Sequence, residues 1–440
     1  MLAEYGLQNK THELNFRAAQ IAREVANSFT TPGRPRFVAG SMGPTTKLPS
    51  LGHITFTDMA EAYRIQAQGL LEGGVDLLTV ETCQDVLQAK AALAGIFECF
   101  TSERRRVPVI VSVTIETMGT MLLGTEILAV LTAIEPFDID VFGINCATGP
   151  KEMSEHVHAL VGASPIPVFV MPNAGLPENV GGVAHYHLTP DELVRYLSHF
   201  VKDLGVQVVG GCCGTTPEHI RRLAAAVGDL APARRSVDFT PGASSLYQTA
   251  PFRIAPPPVL VGERTNANGS KLFRDLLAKE DWEGIVAMGR DQVRELAHLQ
   301  DVCVAYVGRN ELNDMAEVIS RFNTQVTTPI VIDSTEAPVI EAALQRIAGK
   351  TVVNSINLED GEERLRTVVG LCRKYGAAVI ALTIDEKGMA KTADAKLAVA
   401  RRIYDLAVKT HGMKPHDLIF DTLTFTLGSG DEEFRKAGKE

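Results

Sequence analysis

The sequence predicts an α/β fold in which two parallel sheets follow one another along the chain. Apolar runs of strand length alternate with helical segments through most of the 440 residues, a pattern typical of parallel strands joined by helical crossovers. The runs are continuously apolar, which indicates strands buried on both faces. Proline, glycine and serine interrupt this rhythm near the middle. We therefore predict domains at residues 1–231 and 258–440, with a linker at 232–257.

The first domain is predicted to contain six strands separated by helices. These strands are Phe37–Gly43, Asp76–Thr82, Pro108–Ile115, Asp140–Cys146, Pro167–Pro172 and Val206–Val209. A loose apolar face predicts a helix at Thr11–Asn27, and Thr57 is predicted to cap the next one. A later helix is predicted from Thr189 to Leu204. Thr216 and Pro217 are residue types preferred at the N-cap and first position of a helix, so another helix should begin there.

The second domain is also predicted to contain six strands. They are Val259–Arg264, Asp301–Val307, Pro329–Asp333, Thr351–Ile356, Ala377–Asp385 and Asp417–Thr424. Between them, Ala337–Ala348 is predicted to be a helix with one apolar face, and Gly349 ends it. A closed (β/α)8 barrel needs eight strands. Two interpretations follow: either each domain is an open sheet, or the chain is the middle of a longer one and both barrels are incomplete.

Composition excludes several classes of protein. The formal net charge is -10 and no basic run is interleaved with aromatic residues, so we expect no nucleic-acid partner. No apolar run approaches the roughly 18 residues of a membrane span, and the N-terminus lacks the apolar segment of a secretory signal. We therefore expect a cytoplasmic chain with no membrane partner. The seven cysteines are scattered and odd in number, which favours reduced thiols or metal ligands over disulfides.

Three cysteines follow predicted strands at positions suited to metal binding. Glycines flank Cys212 and Cys213 on both sides. They permit the backbone turn that two neighbouring side chains need in order to reach one ion. Cys146 ends another predicted strand. Three thiolates with one open position form a zinc arrangement of the catalytic type. Taken alone, Cys146 also suits the ordinary role of a small buried residue.

Two further polar residues end apolar strands of the first domain. Glu81 closes the run Asp76–Thr82, where a carboxylate could bind a substrate ammonium group. Asn173 follows the run Pro167–Pro172 in a similar position. Each also fits an ordinary role, since acidic residues are common before helices and asparagines are common in turns.

Polar residues also end the strands of the second domain. They are Glu263, Asn266, Asp333, Asn354, Asp385 and Asp421. Because the strands are parallel, these side chains should share one edge of the sheet, where they suit a flat heterocycle rich in hydrogen-bond donors. Any one of them could equally be a cap or turn residue, but the set is better explained by a binding site.

Several motifs resemble known families. NCATGP at Asn145–Pro150, MPNAG at Met171–Gly175 and GGCCGTTPEHI at Gly210–Ile220 resemble the homocysteine-binding domain of the homocysteine S-methyltransferases. VGERTNANGS at Val261–Ser270, VIDST at Val331–Thr335, VVNSI at Val352–Ile356 and LIFDTLTFTLGSGDEE at Leu418–Glu433 resemble the pterin-binding domain of the cobalamin-dependent methionine synthase family. The order of the two domains matches that family, and the resemblance extends over nearly the whole chain.

The resemblance implies a fold, a chemistry and a set of ligands. The fold would be two tandem (β/α)8 barrels of the TIM type, the first without its N-terminal strands and the second without its C-terminal strands. The chemistry would be methyl transfer from 5-methyltetrahydrofolate, by way of cobalamin, to homocysteine activated by Zn2+. The zinc ligands would be Cys146, Cys212 and Cys213, and Glu81 and Asn173 would line the homocysteine site. The pterin would be held by Glu263, Asn266, Asp333, Asn354 and Asp421, with Asn266 supporting protonation of its N5 through a hydrogen bond.

The chain also departs from the family pattern. The glycine-rich first-strand motif, the second strand and the last two strands of the folate barrel are absent, as is a cobalamin-binding region. We therefore expect a fragment that is inactive or weak by itself, with cobalamin bound by a domain of the same parent chain. Ala305 stands where an acid is expected, and Met171 replaces a more usual polar or aromatic residue. Two alternatives remain, a non-catalytic fragment that binds zinc and folate, and a zinc-dependent thiol methyltransferase with another methyl donor.

Overall fold

The structure is a computed structural model, and it describes residues 2–423. The chain divides into two compact units. The first comprises the chain up to Leu131 together with Asp138–Thr240, and the second comprises Thr132–Phe137 together with the chain from Pro241 onward. Among the described residues, none of the helices combines the length and apolar character needed to cross a membrane.

The first unit contains a parallel sheet of six strands within the described residues, in the order β1-β2-β3-β4-β5-β8. Its strands and a short hairpin (β6 and β7) are β1 (Ala39–Met42), β2 (Leu77–Cys83), β3 (Val109–Val113), β4 (Val141–Asn145), β5 (Val168–Met171), β6 (Glu178–Val180), β7 (Val183–His185) and β8 (Val208–Val209). Its helices are α1 (Thr11–Phe29), α2 (Phe56–Glu72), α3 (Val86–Glu103), α4 (Ile127–Ile134), α5 (Pro150–Ala163), α6 (Pro190–Lys202) and α7 (Pro217–Val227). All six predicted strands are present, although most are shorter than predicted.

Local side-chain chemistry sets where these helices begin. Thr189 caps α6, and its hydroxyl accepts the backbone N–H of Glu192 at 3.3 Å. Thr216 is the N-cap of α7 and Pro217 its first residue, as predicted. The prediction that Thr57 caps α2 was wrong. Thr55 is the cap, because its hydroxyl accepts the backbone N–H of Asp58 at 3.1 Å, and Thr57 lies inside the first turn.

The second unit repeats this architecture, with six parallel strands in the order β11-β12-β13-β14-β15-β18 within the described residues. Its strands and two hairpins are β9 (Gly242–Ser244), β10 (Thr249–Pro251), β11 (Val261–Gly262), β12 (Leu299–Val302), β13 (Ile330–Asp333), β14 (Val352–Ile356), β15 (Ala378–Leu382), β16 (Ile384–Asp385), β17 (Gly388–Met389) and β18 (Leu418–Asp421). Its helices are α8 (Lys271–Lys279), α9 (Trp282–Arg294), α10 (Glu311–Gln325), α11 (Ala337–Leu344), α12 (Glu362–Tyr375) and α13 (Ala393–Tyr404). Both sheets are curled half-barrels, which confirms the prediction of two incomplete (β/α)8 barrels.

One strand of the second unit is displaced from its predicted position. The prediction placed it at Asp301–Val307, but β12 spans Leu299–Val302 and contains Asp301 in its interior. The acid appeared to mark the start of a strand because buried strands are usually apolar. Here Asp301 is only 5% exposed, and its carboxylate is hydrogen-bonded to a neighbouring strand-end residue. Residue 424, the last of the final predicted strand, lies outside the described residues.

The hairpin of β9 and β10 closes the amino-terminal end of the second sheet. Ala243 is fully buried against residues in the first halves of four strands, Leu299, Val331, Val352 and Ala378. Ser244 makes two hydrogen bonds with the backbone of Lys350. The Ser244 N–H donates to the Lys350 carbonyl, and the Ser244 hydroxyl oxygen accepts the Lys350 N–H, each at 2.9 Å. The amino-terminal end of this sheet is therefore covered, whereas Asp333 and Asp421 end β13 and β18 at the carboxyl edge.

Candidate functional site

The backbone turns sharply where β4 ends, and this turn directs Cys146. Cys146 and the following Ala147 have φ of 62° and 61°, in the left-handed region that few residues other than glycine adopt. The Cys146 N–H donates to the carbonyl of Met171 at 3.0 Å, which ties the turn to the end of β5. Strained backbone of this kind persists only where the surrounding structure holds it, and it is frequent at functional sites.

The loop after β8 brings the paired cysteines to the same edge. Cys212 donates its N–H to the carbonyl of Pro172 at 2.9 Å, and Cys213 donates its N–H to Oδ1 of Asn173 at 3.0 Å. Gly214 follows with φ of 77°, which lets the chain turn away into α7. The loop after β5 therefore supplies the acceptors that fix both cysteines.

The three sulfur atoms lie together. Sγ of Cys213 is 3.8 Å from that of Cys146 and 4.0 Å from that of Cys212, and all three sulfurs lie within 4.8 Å of one another. Tetrahedral zinc with Zn–S bonds of about 2.3 Å separates its sulfur ligands by roughly 3.8 Å. The donor set and its spacing therefore fit a zinc ion with three thiolate ligands.

The thiols of this cluster differ in acidity. A hydrogen bond from Cys212, with help from the Ala147 backbone, holds the pKa of Cys146 well below its usual range. The hydrogen bond to Cys146 and burial raise the pKa of Cys212, and burial is the main cause that raises the pKa of Cys213. One thiolate therefore forms readily, and a bound cation would be needed to hold all three deprotonated.

Asn145, whose role we did not predict, links the cysteine cluster to the ends of β2 and β3. Its Nδ2 donates to Oγ1 of Thr82 at 2.8 Å and contacts Sγ of Cys212 at 3.9 Å. Its Oδ1 accepts the Thr82 N–H at 2.8 Å and the Ser112 hydroxyl at 2.7 Å. Asn145 is a polar residue at the end of an apolar strand, the same signal that singled out Glu81, so the sequence did contain a clue to Asn145.

The two predicted substrate residues of the first unit lie at the same edge. Glu81 is near the end of β2, is half-buried, and accepts a hydrogen bond from the Ser41 hydroxyl. It directly precedes Thr82, which Asn145 binds. Asn173 is only 3% exposed and binds the Cys213 backbone, so it shapes the cysteine loop itself.

Tyr186 was not predicted either, and it covers the cysteine loop from the β6–β7 hairpin. Its ring lies against Gly214, where an added Cβ would come within 2.2 Å of its Cγ. Its hydroxyl hydrogen-bonds Cys213 and lowers the pKa of that thiol, against the effect of burial. Leu188, two residues later, anchors the segment by donating its N–H to the Ala174 carbonyl at 3.0 Å. No local pattern marks Tyr186, because this contact depends on how the hairpin folds back.

In the second unit, Asn266 joins two acids at the carboxyl edge of the sheet. Its Nδ2 donates to Oδ2 of Asp301 at 2.7 Å and to Oδ2 of Asp333 at 3.1 Å. Burial, together with the nearby charges of Asp333 and Glu263, raises the pKa of Asp301 to about 7, although the hydrogen bond from Asn266 acts in the opposite direction. Burial also raises the pKa of Asp333, while hydrogen bonds from Asn266 and Cys303 act in the opposite direction.

The other predicted residues of the second unit extend this edge. Asn354 on β14 pairs in register with Asp333 on β13, and Asp421, exposed at the end of β18, pairs with Leu382. Glu263 is exposed just after β11. Asp385 lies in the β16–β17 hairpin, where its Oδ1 accepts the Lys387 N–H at 2.9 Å, the arrangement of a turn residue. The remainder of the motif that contains Asp421, residues 424–433, lies outside the described residues.

Comparison with protein families matches two successive regions of the chain. Residues 1–227 match the family model described as homocysteine S-methyltransferase, which is more than half of the 440 residues. The chain belongs to the homocysteine S-methyltransferase family. Residues 262–439 match a second model, described as pterin binding enzyme, so the homocysteine S-methyltransferase region is followed by a pterin-binding one.

Curated relatives of this homocysteine S-methyltransferase family member cover its whole length. Methionine synthase of Mycobacterium leprae is 48% identical over 447 residues, and methionine synthase of Mycobacterium tuberculosis is 47% identical over 442 residues. Each alignment covers 100% of this chain and 37% of the relative. Among solved structures, the apo form of the homocysteine methyltransferase MmuM from Escherichia coli is 24% identical, with a TM-score of 0.40, over 50% of this chain and 74% of that one.

Proposed function

We propose that the chain carries the homocysteine and folate sites of a methionine synthase. The net reaction would move the methyl group of 5-methyltetrahydrofolate to the sulfur of homocysteine, giving methionine and tetrahydrofolate. Cobalamin, held by a cobalamin-binding domain of the same parent chain, would carry the methyl group between the two sites. The names of the relatives and the two family matches support this assignment.

The observation that carries the proposal is the spacing of the three sulfurs. Cys146, Cys212 and Cys213 would hold Zn2+ and leave one position open, and the ion would supply a means of keeping the substrate thiol deprotonated near neutral pH. Asn145 and Asn173 fix these cysteines through the hydrogen bonds described above. Glu81, at the same edge, would pair with the ammonium group of homocysteine.

At the second site, the chain would bind the pterin through the polar strand ends. Asp333 and Asn354, which are neighbours in register, would face its hydrogen-bonding edge, and Glu263 and Asp421 would line the site on either side. The pterin-binding match over residues 262–439 favours a folate donor over another source of methyl groups. Asn266 would position the acids around it.

Metal analysis of cysteine variants tests the proposal. We expect about one zinc ion per chain in the wild type and a loss of most of it in Cys212→Ala and Cys213→Ala, because two thiolates bind zinc far more weakly than three. Cys372→Ala is the matched control, since Cys372 is a buried thiol on α12, only 1% exposed, and it should keep its zinc.

Homocysteine binding by calorimetry on the same proteins completes the test. Wild type and Cys372→Ala should bind homocysteine only when loaded with zinc. Unchanged zinc content in both Cys212→Ala and Cys213→Ala would refute the metal site. Full zinc content without homocysteine binding would support the metal site and refute homocysteine as its substrate.

A further inference from the structure

The amide of Asn266 is held in one orientation by its surroundings. Its Oδ1 accepts the backbone N–H of Asn268 at 2.8 Å, so its Nδ2 must face the other way. Nδ2 has two hydrogens, and the two contacts to Asp301 and Asp333 use both of them. Asn266 therefore has no side-chain N–H left for a ligand. Its amide instead holds the carboxylates of Asp301 and Asp333 in place.

The backbone around Asp301 is equally well fixed. Its carbonyl accepts the hydroxyl of the buried Thr265 at 2.6 Å, and Cys303 exchanges backbone hydrogen bonds with Thr265 and Ala267 at 3.2 and 2.7 Å. Because Asp301 lies in the interior of β12 and is 5% exposed, it can reach a ligand only through its neighbours. The neighbour that it contacts through its side chain is Asn266, which in turn contacts Asp333.

We infer that Asp301 is a positioning residue for the pterin site, and that it acts through Asn266 to orient the carboxylate of Asp333. This inference rests on the proposed function. A pterin presents an amino group beside a ring N–H, two parallel donors that suit one correctly turned carboxylate. Removal of Asp301 would release one hydrogen of the Asn266 amide and, with it, the constraint that fixes Asp333.

The protonation of Asp301 matters because the site is crowded with acids. Asp333 on β13 and Glu263 after β11 face Asp301, and Glu311 on α10 acts on Asp333 in turn. Cys303 on the strand of Asp301 is a buried thiol whose pKa is raised to about 12, so it stays neutral. Burial raises the pKa of Asp301 to about 7. Below that pH Asp301 is neutral, and Asp333 can stay ionised beside it with less repulsion.

The test is the pH dependence of tetrahydrofolate binding by the full chain, measured by calorimetry in wild type and two variants. Between about pH 6 and about pH 8.5 we expect wild-type affinity to fall roughly tenfold as Asp301 ionises. Asp301→Asn keeps the acceptor for Asn266 and cannot ionise, so its affinity should match that of the wild type at the lower pH and lack this fall. Asp301→Ala should bind roughly tenfold more weakly throughout, because Asn266 is no longer held.

Asp314→Asn is the matched control. Asp314 is a buried acid of α10, 4% exposed, and it pairs with Arg309 at 2.5 and 2.7 Å. This variant should reproduce the wild-type pH profile, and any titration of the ligand itself is common to all four proteins. If Asp301→Ala does not fold, the comparison of Asp301→Asn with wild type decides the matter.

The outcomes separate this inference from the proposed function. Folate binding with the same pH profile in wild type and Asp301→Asn overturns the role of Asp301 and leaves the proposed function intact. Wild-type affinity in a folded Asp301→Ala variant does the same. A wild-type chain that is folded but binds no tetrahydrofolate overturns the folate site, and the role of Asp301 with it.

Discussion

At the scale of single residues, the cysteine cluster depends on backbone positions that side chains rarely tolerate. Thr82, Cys146 and Ala147 all have positive φ, although none of them is glycine. Each costs of order 1–3 kcal/mol of strain, and the hydrogen bonds of Asn145 and Met171 help to offset it. The strain lies beside the three sulfurs, where it turns the chain so that their side chains converge.

Gly214 provides a test at this scale. In Gly214→Ala the new Cβ would meet the Tyr186 ring at 2.2 Å, and the residue would also keep an unfavourable φ. We expect a loss of about 1–3 kcal/mol in the free energy of unfolding, together with weaker zinc binding, because Tyr186 and the cysteine loop must move apart. Urea unfolding and competition with a zinc chelator measure the two effects.

Gly181→Ala is the control for backbone strain alone. Gly181 has φ of 61° in the exposed β6–β7 turn, and its added Cβ would meet no atom within 4 Å. This variant should lose about 1 kcal/mol of stability and keep the zinc affinity of the wild type. Equal zinc affinity in Gly214→Ala and Gly181→Ala would show that the contact with Tyr186 does not matter for the metal.

At the scale of elements, the two ends of the second sheet have different tasks. The carboxyl ends of β13 and β18, with Asn354 in the middle of β14 beside Asp333, carry polar residues of the proposed pterin site. The amino ends pack on the β9–β10 hairpin, and there the side chains of Lys350, before β14, and Asp417, before β18, form an ion pair. Both side chains are almost fully buried, with 1% and 3% exposed. This pair therefore belongs to the stability of the sheet, away from its site.

Replacing Lys350 by methionine tests that assignment. Lys350→Met leaves the Asp417 carboxylate without its ammonium partner, and we expect a loss of about 3–5 kcal/mol in the free energy of unfolding. The double variant Lys350→Met/Asp417→Leu should recover most of that loss, because neither member of the pair is left as an unpaired buried charge. Urea unfolding provides the measurement.

An exposed ion pair of the same unit serves as control. Lys374 lies 3.0 Å from Glu341, with half of the Lys374 side chain exposed, so Lys374→Met should cost no more than about 1 kcal/mol. A loss in Lys350→Met as small as that in Lys374→Met would contradict the assignment, as would a double variant less stable than the single one.

At the scale of the whole molecule, the chain uses one architecture twice, with different side chains at the strand ends. Each unit is a curled parallel sheet with its chemistry at the carboxyl ends of the strands, as is usual for this class of fold. The first unit places sulfur there and the second places acids and amides. The fold therefore fixes where a ligand binds, while the residues at the strand ends fix which ligand it is.

Hydrogen exchange followed by peptide resolves the two units. Removal of zinc by a chelator should lower the protection of amides in β4 and β8 roughly tenfold or more, because a ligand that binds the native state contributes to its stability. Amides of β13 and β14 should keep their protection when zinc is removed. Addition of tetrahydrofolate should raise the protection of amides in β13 and β14 and leave that of β4 and β8 unchanged. A uniform loss of protection in all four strands on zinc removal would contradict separate ligand sites in the two units.

Much of this organisation could be predicted from local sequence. The predicted strands of both sheets were found because fully buried parallel strands are continuous apolar runs. The starts of α6 and α7 were found because threonine is preferred at the N-cap and proline at the first position of a helix. The predictions of the bounds of β12 and of the cap of α2 were wrong. Asp301 lies inside a strand because Asn266, on another segment, donates a hydrogen bond to its carboxylate. The choice between Thr55 and Thr57 depends on which hydroxyl accepts the backbone N–H of Asp58. Glu81, Asn173 and the acids of the second unit remain predicted site residues.

The sequence by itself determined the fold class, the family and the cysteines and polar residues at the strand ends, because periodicity, turn chemistry and motif spacing are local properties of a chain. Only the tertiary structure decided that Tyr186 covers the cysteine loop, that Asn145 supports it, and that Asn266 directs both hydrogens of its amide to Asp301 and Asp333. These contacts join residues that are 28 to 67 positions apart or lie on separate loops. The physical reason is that a hydrogen bond depends on distance and angle in space, which no local pattern encodes.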